Sequence, residues 1–272
     1  MELKHSRLLT GLTLAMTAVL AIASYYGAFV PATYAHDSAS MGTQGMGQDV
    51  FDLFIVVPLL LILLAFTLRG SRVAFLILGG TVFYVLYSYV IYAFGVHFNS
   101  LFLVYCAVFG TSLYAFLLCV VELNDLQVQH WFDERTPNRA TGIFFIVIAA
   151  LFYLLWLKDV VPAILGNSVP ETVADNDLLV NPVHVLDIAV ALPGMIVTAI
   201  LLFKKHPLGF IFAPVYLVFT ILLALALVAM IVAMKLKGIA EDLSIAAVFV
   251  VLAAISAVFL YKFFRAPGVK AG

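Results

Sequence analysis

Along most of this chain the apolar positions follow one another without a period, and the polar positions collect between the runs. Eight runs bounded by Gly, Pro or charge cover 8–30, 50–68, 73–95, 99–121, 141–165, 183–203, 208–234 and 242–264. A helix rises about 1.5 Å per residue and the bilayer hydrocarbon is about 30 Å thick, so each run is close to the length needed to cross it. Backbone groups in hydrocarbon must be satisfied within the segment, and no period-two alternation suggests barrel strands. The pattern predicts an all-α membrane protein with eight transmembrane helices.

Composition strengthens this reading. Of 272 residues 65% are hydrophobic and 11% charged, against about 25% charged in ordinary soluble domains; the mean hydropathy is +1.15. A soluble globule is excluded. The net charge of −1 offers no basic field, so nucleic acid is not an expected partner; the lipid bilayer is.

Charge then orients the spans, because loops rich in Lys and Arg stay in the cytoplasm. With the N-terminus inside, Lys4, Arg7, Arg69, Arg72, Arg135, Arg139, Lys204, Lys205, Lys262, Arg265 and Lys270 are cytoplasmic, and Lys158, Lys235 and Lys237 are not. The acids Asp37, Asp49, Asp52, Asp159, Glu171, Asp175, Asp177, Asp187, Glu241 and Asp242 fall on the outer side. An even span count puts both termini in the cytoplasm. Lys4, His5 and Arg7 ahead of an apolar run, with Ala-Thr-Tyr-Ala at 32–35, also fit a cleaved signal peptide, so removal of residues 1–35 stays open. The segment 31–48, rich in Gly, Ser, Met and Thr, reads as a mobile outer loop, and the acidic loop 166–182 as better ordered near Asn181 and Pro182.

A shift of 135 residues places Val50, Asp52, Pro58, Arg69 and Phe75 over Val185, Asp187, Pro193, Lys204 and Phe210. Both copies read V-x-D-x5-P before a basic turn. The expectation is two tandem four-helix units, 1–122 and 140–265, joined by a cytoplasmic linker 123–139. Four spans per unit make the copies parallel, with a pseudo-two-fold axis along the membrane normal. In the linker, Leu123, Leu126, His130 and Trp131 share a face and suggest a short helix lying under the bilayer.

Ionisable groups inside spans are costly and tend to face a bundle interior or a cavity. Asp52 and Asp187 sit near the outer ends of their helices, shortly before a proline. Two readings remain open: acids complementing a helix dipole, or paired carboxylates facing an outer vestibule. On the third span Tyr84, Tyr87, Ser88 and Tyr92 lie within an arc of about 140° at about 100° per residue. The fourth answers with Asn99, Cys106, Gly110 and Tyr114 on a narrow stripe. Tyr84, Tyr87, Ser88, Cys106 and Tyr114 are expected to make inward helix–helix polar contacts; a groove for a ligand head group or quinone is the alternative.

Trp156 and Lys158 near the end of the fifth span read as an interfacial aromatic anchor and a snorkelling Lys, although pairing of Lys158 with Asp52 or Asp187 is an alternative. Glu241 and Asp242 read as dipole-complementary residues opening the eighth helix. The candidate ligand-binding set is Asp52, Asp187, His184, Tyr92, Asn99 and His97. No metal-ligand spacing accompanies these residues, so no metal is assigned and the cofactor is unknown. Cys106 and Cys119 are 13 residues apart on one predicted helix, about 20 Å along its axis, too far to bond to each other. Walker, nucleophile-elbow, His-Glu-x-x-His and dinucleotide motifs do not occur, and no Lys occupies a helix centre for a retinal Schiff base.

Residues 47–52 (GQDVFD), Pro58-Leu59-Leu60, Arg69-Gly70-Ser71-Arg72, the Tyr-rich run to Gly95, His97-Phe98-Asn99 and Tyr105, with Leu186-Asp187, Pro193 and Pro207-Leu208-Gly209-Phe210, make the chain similar to uncharacterised polytopic membrane proteins of bacteria and archaea. That resemblance implies a prokaryotic cytoplasmic membrane and carries no activity. The expected function is small-molecule binding or transport through an extracytoplasmic vestibule between the two units. A membrane-embedded enzyme acting on lipid or quinone, and a non-catalytic assembly or sensing subunit, are the alternatives.

Overall fold

The computed structural model describes residues 1, 3–239 and 242–270, which are helical with no strand among them. Eight helices are long and apolar enough to cross a membrane: α1 (Ser6–Phe29), α2 (Ala39–Leu68), α3 (Arg72–Gly95), α4 (Phe102–Asp125), α5 (Asn138–Leu165), α6 (Pro182–Phe203), α7 (Pro207–Leu236) and α8 (Ser244–Phe264). They match the eight apolar runs. Large apolar side chains stand exposed on their outward faces, Leu61, Ile62, Leu151, Leu154, Val248 and Val251 among them, as a helix long enough to cross a membrane requires.

The centre of the bundle is α3 crossed by α7. Gly79, Gly80 and Thr81 on α3, beside Val215 and Val218 on α7, keep side chains small where the two axes meet. Around this pair, α1 packs on α2 and α4, α2 on α3, α5 on α6, and α8 on α7. The first part of α2 lies along α7, joining the first four helices to the last four. The two groups close differently. Helix α1 packs along α4, whereas α5 and α8 do not pack along their lengths and are joined near their basic ends by the stacked rings of Phe144 and Phe259, 4.7 Å apart.

Helix α2 begins eleven residues before the predicted run, so much of the expected mobile loop 31–48 is structured. Ser38 caps it by accepting the Met41 N–H (3.1 Å). The glycines that suggested flexibility are packing surfaces: a Cβ on Gly47 would lie 2.8 Å from the Ala229 carbonyl oxygen and the Met230 Cα of α7. At the opposite end, α4 stops at a left-handed Gln127 (φ 49°), and the linker makes a single tight turn, Val128–Trp131. Trp131 is buried beneath the Arg72 guanidinium, 4.9 Å from the ring centroid, and Arg72 also donates to the Gly268 carbonyl. The linker is therefore docked onto protein at Trp131 instead of running as a helix under the bilayer. For the eighth helix, Asp242 accepts the Ser244 N–H (2.8 Å) and Glu241 lies outside the described residues.

Candidate binding site

Both acids predicted inside spans stand at a widened helical turn. Val57 donates its N–H to the Asp52 carbonyl and Leu192 to the Asp187 carbonyl, five residues back instead of four. In each case a proline follows directly (Pro58, Pro193) that lacks an N–H and crowds the carbonyl four residues earlier. Widening the turn relieves that clash, and such turns frequently mark functional sites. It also leaves the Ile188 carbonyl without its usual donor, and the Tyr153 hydroxyl takes that place at 3.1 Å.

Asp187 is buried (6% exposed), and its carboxylate joins the two groups of helices. Oδ1 accepts from the Tyr87 hydroxyl on α3 and Oδ2 from Trp156 Nε1 on α5, both at 2.8 Å. A carboxylate offers about four lone-pair sites, so each oxygen retains acceptor capacity. Asp187 lines a cavity of about 230 Å³ enclosed by α2, α3, α5, α6, α7 and α8. Gln44, Gln48, Ser88, Tyr87, Tyr92 and Trp156 make its polar wall; Phe152, Leu155, Leu223, Leu227 and Phe249 make the apolar one. A smaller space of about 40 Å³ shares Asp187 and most of those apolar residues and continues toward Met195 and Thr220.

Asp52 takes a different position. It is buried (1% exposed) behind the cavity wall, where it accepts from the Tyr84 hydroxyl at 2.8 Å, and Gln48 Nε2 reaches the same hydroxyl at 3.5 Å. Gln48 therefore links the cavity to Asp52 through Tyr84. Beside it, the fully buried Asp49 accepts from the Tyr34 hydroxyl and fills the space in which Gly27 has no side chain. Burial, and then the Asp49 charge, push the Tyr34 phenol well above its ordinary pKa, so it stays a donor. The closed packing of α1 on α4 seals this acidic cluster off, while Asp187 faces open space.

The other predicted residues fall in several places. Tyr92 lines the cavity, stacks on Tyr89 (4.9 Å) and donates to the Gly45 carbonyl at 3.3 Å. Tyr87 and Ser88 line it as well. His184 is buried against Trp156, ring centroids 4.6 Å apart, and lines a separate cleft between α5 and α6 with Val160 and Ile164. Asn99 holds local structure, donating to the Thr33 carbonyl (3.1 Å) and accepting the Leu101 N–H (2.9 Å). His97 bonds Asp37 through its backbone N–H (3.0 Å) and Nδ1 (2.9 Å), which raises its pKa chiefly through that side-chain bond.

The α4 stripe is corrected. Tyr114 is 63% exposed and a Cβ on Gly110 would touch nothing within 4 Å, so this stripe faces away from the bundle. Helix α4 buries the face of Tyr105, Val108, Ser112, Ala115 and Cys119, the more continuous stripe at helical spacing, and Cys106 is partly buried at its edge. Reading polar character alone selected the wrong side. Four residues of the site escape the sequence reading: Trp156 reads as a lipid anchor, Tyr34 and Gln48 lie in the supposed loop 31–48, and Asp49 falls between that loop and the apolar run from 50. The one available signal was the spacing Gln48, Asp49, Asp52, which puts all three within a turn of one helix. Among the described residues no group of His, Cys, Asp and Glu is arranged to hold a metal ion. No family model, curated protein or solved structure matches this chain.

Proposed function

We propose that this chain is a multi-pass protein of a prokaryotic cytoplasmic membrane that binds, and carries, a small molecule in the cavity at Asp187. On this reading both termini are cytoplasmic and the cavity belongs to the outer half of the membrane, as the Lys and Arg bias favours. The single observation that carries the proposal is a buried carboxylate, gripped from both helix groups by Tyr87 and Trp156, on the wall of a space large enough for a small organic molecule. Two tandem four-helix units offset by about 135 residues account for the matched wide turns at Asp52 and Asp187 and for the crossing of α3 with its counterpart α7. A ligand touching α3 and α5 together would couple its occupancy to the angle between the units.

The test is a thermal-shift screen of purified full-length protein against chemically diverse small molecules, repeated with Asp187→Asn and Trp156→Phe. At least one class should raise the wild-type Tm and lose its effect in both variants, and radiolabelled uptake of that compound into proteoliposomes should follow the same order. A screen in which no compound shifts the wild type, or in which both variants respond like it, overturns the proposal.

A further inference from the structure

We infer that the occupant of this cavity is an amphipathic organic cation whose head sits at Asp187 and whose tail leaves between α5 and α8 into the bilayer. This rests on the binding reading above and adds the ligand class and the route.

The head group follows from charge. Asp187 is buried, its two donors are neutral, and the ion pairs among the described residues join Lys4 to Asp125, His5 to Glu122, and His97 to Asp37 and Asp177, none of them reaching it. A buried carboxylate is costly unless a cation or several donors compensate it. Tyr87, Tyr92, Trp156, Phe152 and Phe249 line the same cavity as its carboxylate. One carboxylate within an aromatic enclosure is the chemistry that recognises alkylammonium and quaternary ammonium heads, through the ring quadrupoles and the full charge together. It disfavours carboxylate or phosphate heads.

The tail follows from packing. The apolar wall continues beyond Asp187 into the smaller space at Met195 and Leu252. In the first helix group the corresponding side is shut by α1 on α4, but α5 and α8 stay apart above the Phe144–Phe259 stack. Leu155, half exposed at 52%, and the partly buried Phe249 flank that gap, so the cavity opens sideways onto lipid.

The experiment uses the full chain in phosphatidylcholine nanodiscs and four probes: decyltrimethylammonium, decanol, decanoate and tetramethylammonium. At a concentration about a hundredfold above its Kd, decyltrimethylammonium should raise Tm by about 5–10 °C. At the same concentration decanol and decanoate should leave Tm unchanged, tetramethylammonium should need at least about tenfold more for the same shift, and Asp187→Asn should abolish the response. The comparison among heads and tails is made on the wild type, so it stands even if the variant fails to fold. An equal response to decanol or decanoate overturns the cationic head and leaves the binding reading intact. An equal response to tetramethylammonium overturns the lateral tail. Silence to all four, with a shift by another compound in the broader screen, overturns the inference alone; silence throughout removes the binding reading too.

Discussion

Placing a methyl group at Gly80 tests whether the α3–α7 crossing is as close as the structure has it, and with it the frame of the cavity. A Cβ at Gly80 would lie 2.5 Å from Val218 Cβ, 2.9 Å from Val218 Cγ1 and 3.0 Å from the Val215 carbonyl oxygen. Ordinary contact needs about 3.5–4.0 Å, so the helices must part by about 1 Å, and neither a Cβ nor a backbone oxygen can rotate aside. Overpacking of this kind costs about 1–3 kcal/mol. The adjacent residue supplies the control: a Cβ at Gly79 would meet Val215 Cγ2 at 3.7 Å and Leu123 Cδ1 at 3.8 Å, both ordinary contacts. There the substitution should gain the helical preference of Ala over Gly, up to about 1 kcal/mol. At about 2–4 °C per kcal/mol for a chain approaching this size, Gly80→Ala should lower Tm by about 2–12 °C and Gly79→Ala should hold or raise it. A thiol-reactive fluorophore in a Cys106→Ser background reads the transition, because the remaining Cys119 is fully buried on α4. A Gly80→Ala protein as stable as wild type, or a Gly79→Ala protein that falls equally far, would refute the crossing geometry.

Two further outcomes are expected away from the cavity. The bond to Asp37 raises the His97 pKa, so its stabilising contribution is complete below the ordinary histidine value and is lost as pH rises through the raised one. Asp177 also faces this ring, at 4.0 Å. Wild-type Tm should therefore decline between pH 5.5 and 8.5 by more than that of His97→Gln, and parallel curves would count against the pair. At the basic end, Arg72→Lys should weaken both the contact over Trp131 and the bond to the Gly268 carbonyl, since an ammonium lacks the planar fork. A cost of about 0.5–2 kcal/mol follows, read as faster trypsin cleavage after Lys262 and Arg265, with unchanged cleavage kinetics as the contrary result.

The run of apolar residues was enough to specify eight helices, because length and hydropathy respond to the bilayer and not to the neighbours a helix finds. The prolines behind Asp52 and Asp187 likewise marked the two irregular turns, since a missing N–H is a local property. Which face each helix buries was another matter. On α4 the polar stripe through Cys106 and Tyr114 was legible but turned outward, because lipid and protein interior are equally apolar and polarity alone does not separate them. Trp156 looked the same as any interfacial tryptophan until α6 placed a carboxylate 2.8 Å from its nitrogen. Glycines at 42, 45 and 47 suggested a loose loop, and only the approach of α7 at Gly47 and of Tyr34 at Gly42 and Gly45 made them a close-packed helix. The difference between the sealed Asp52 and the open Asp187 has the same origin: α1 packs along α4, α5 does not pack along α8, and in both cases that choice is made between segments separated by more than seventy residues of chain. Contacts over such separations are settled by how whole helices fit together, which no local pattern encodes.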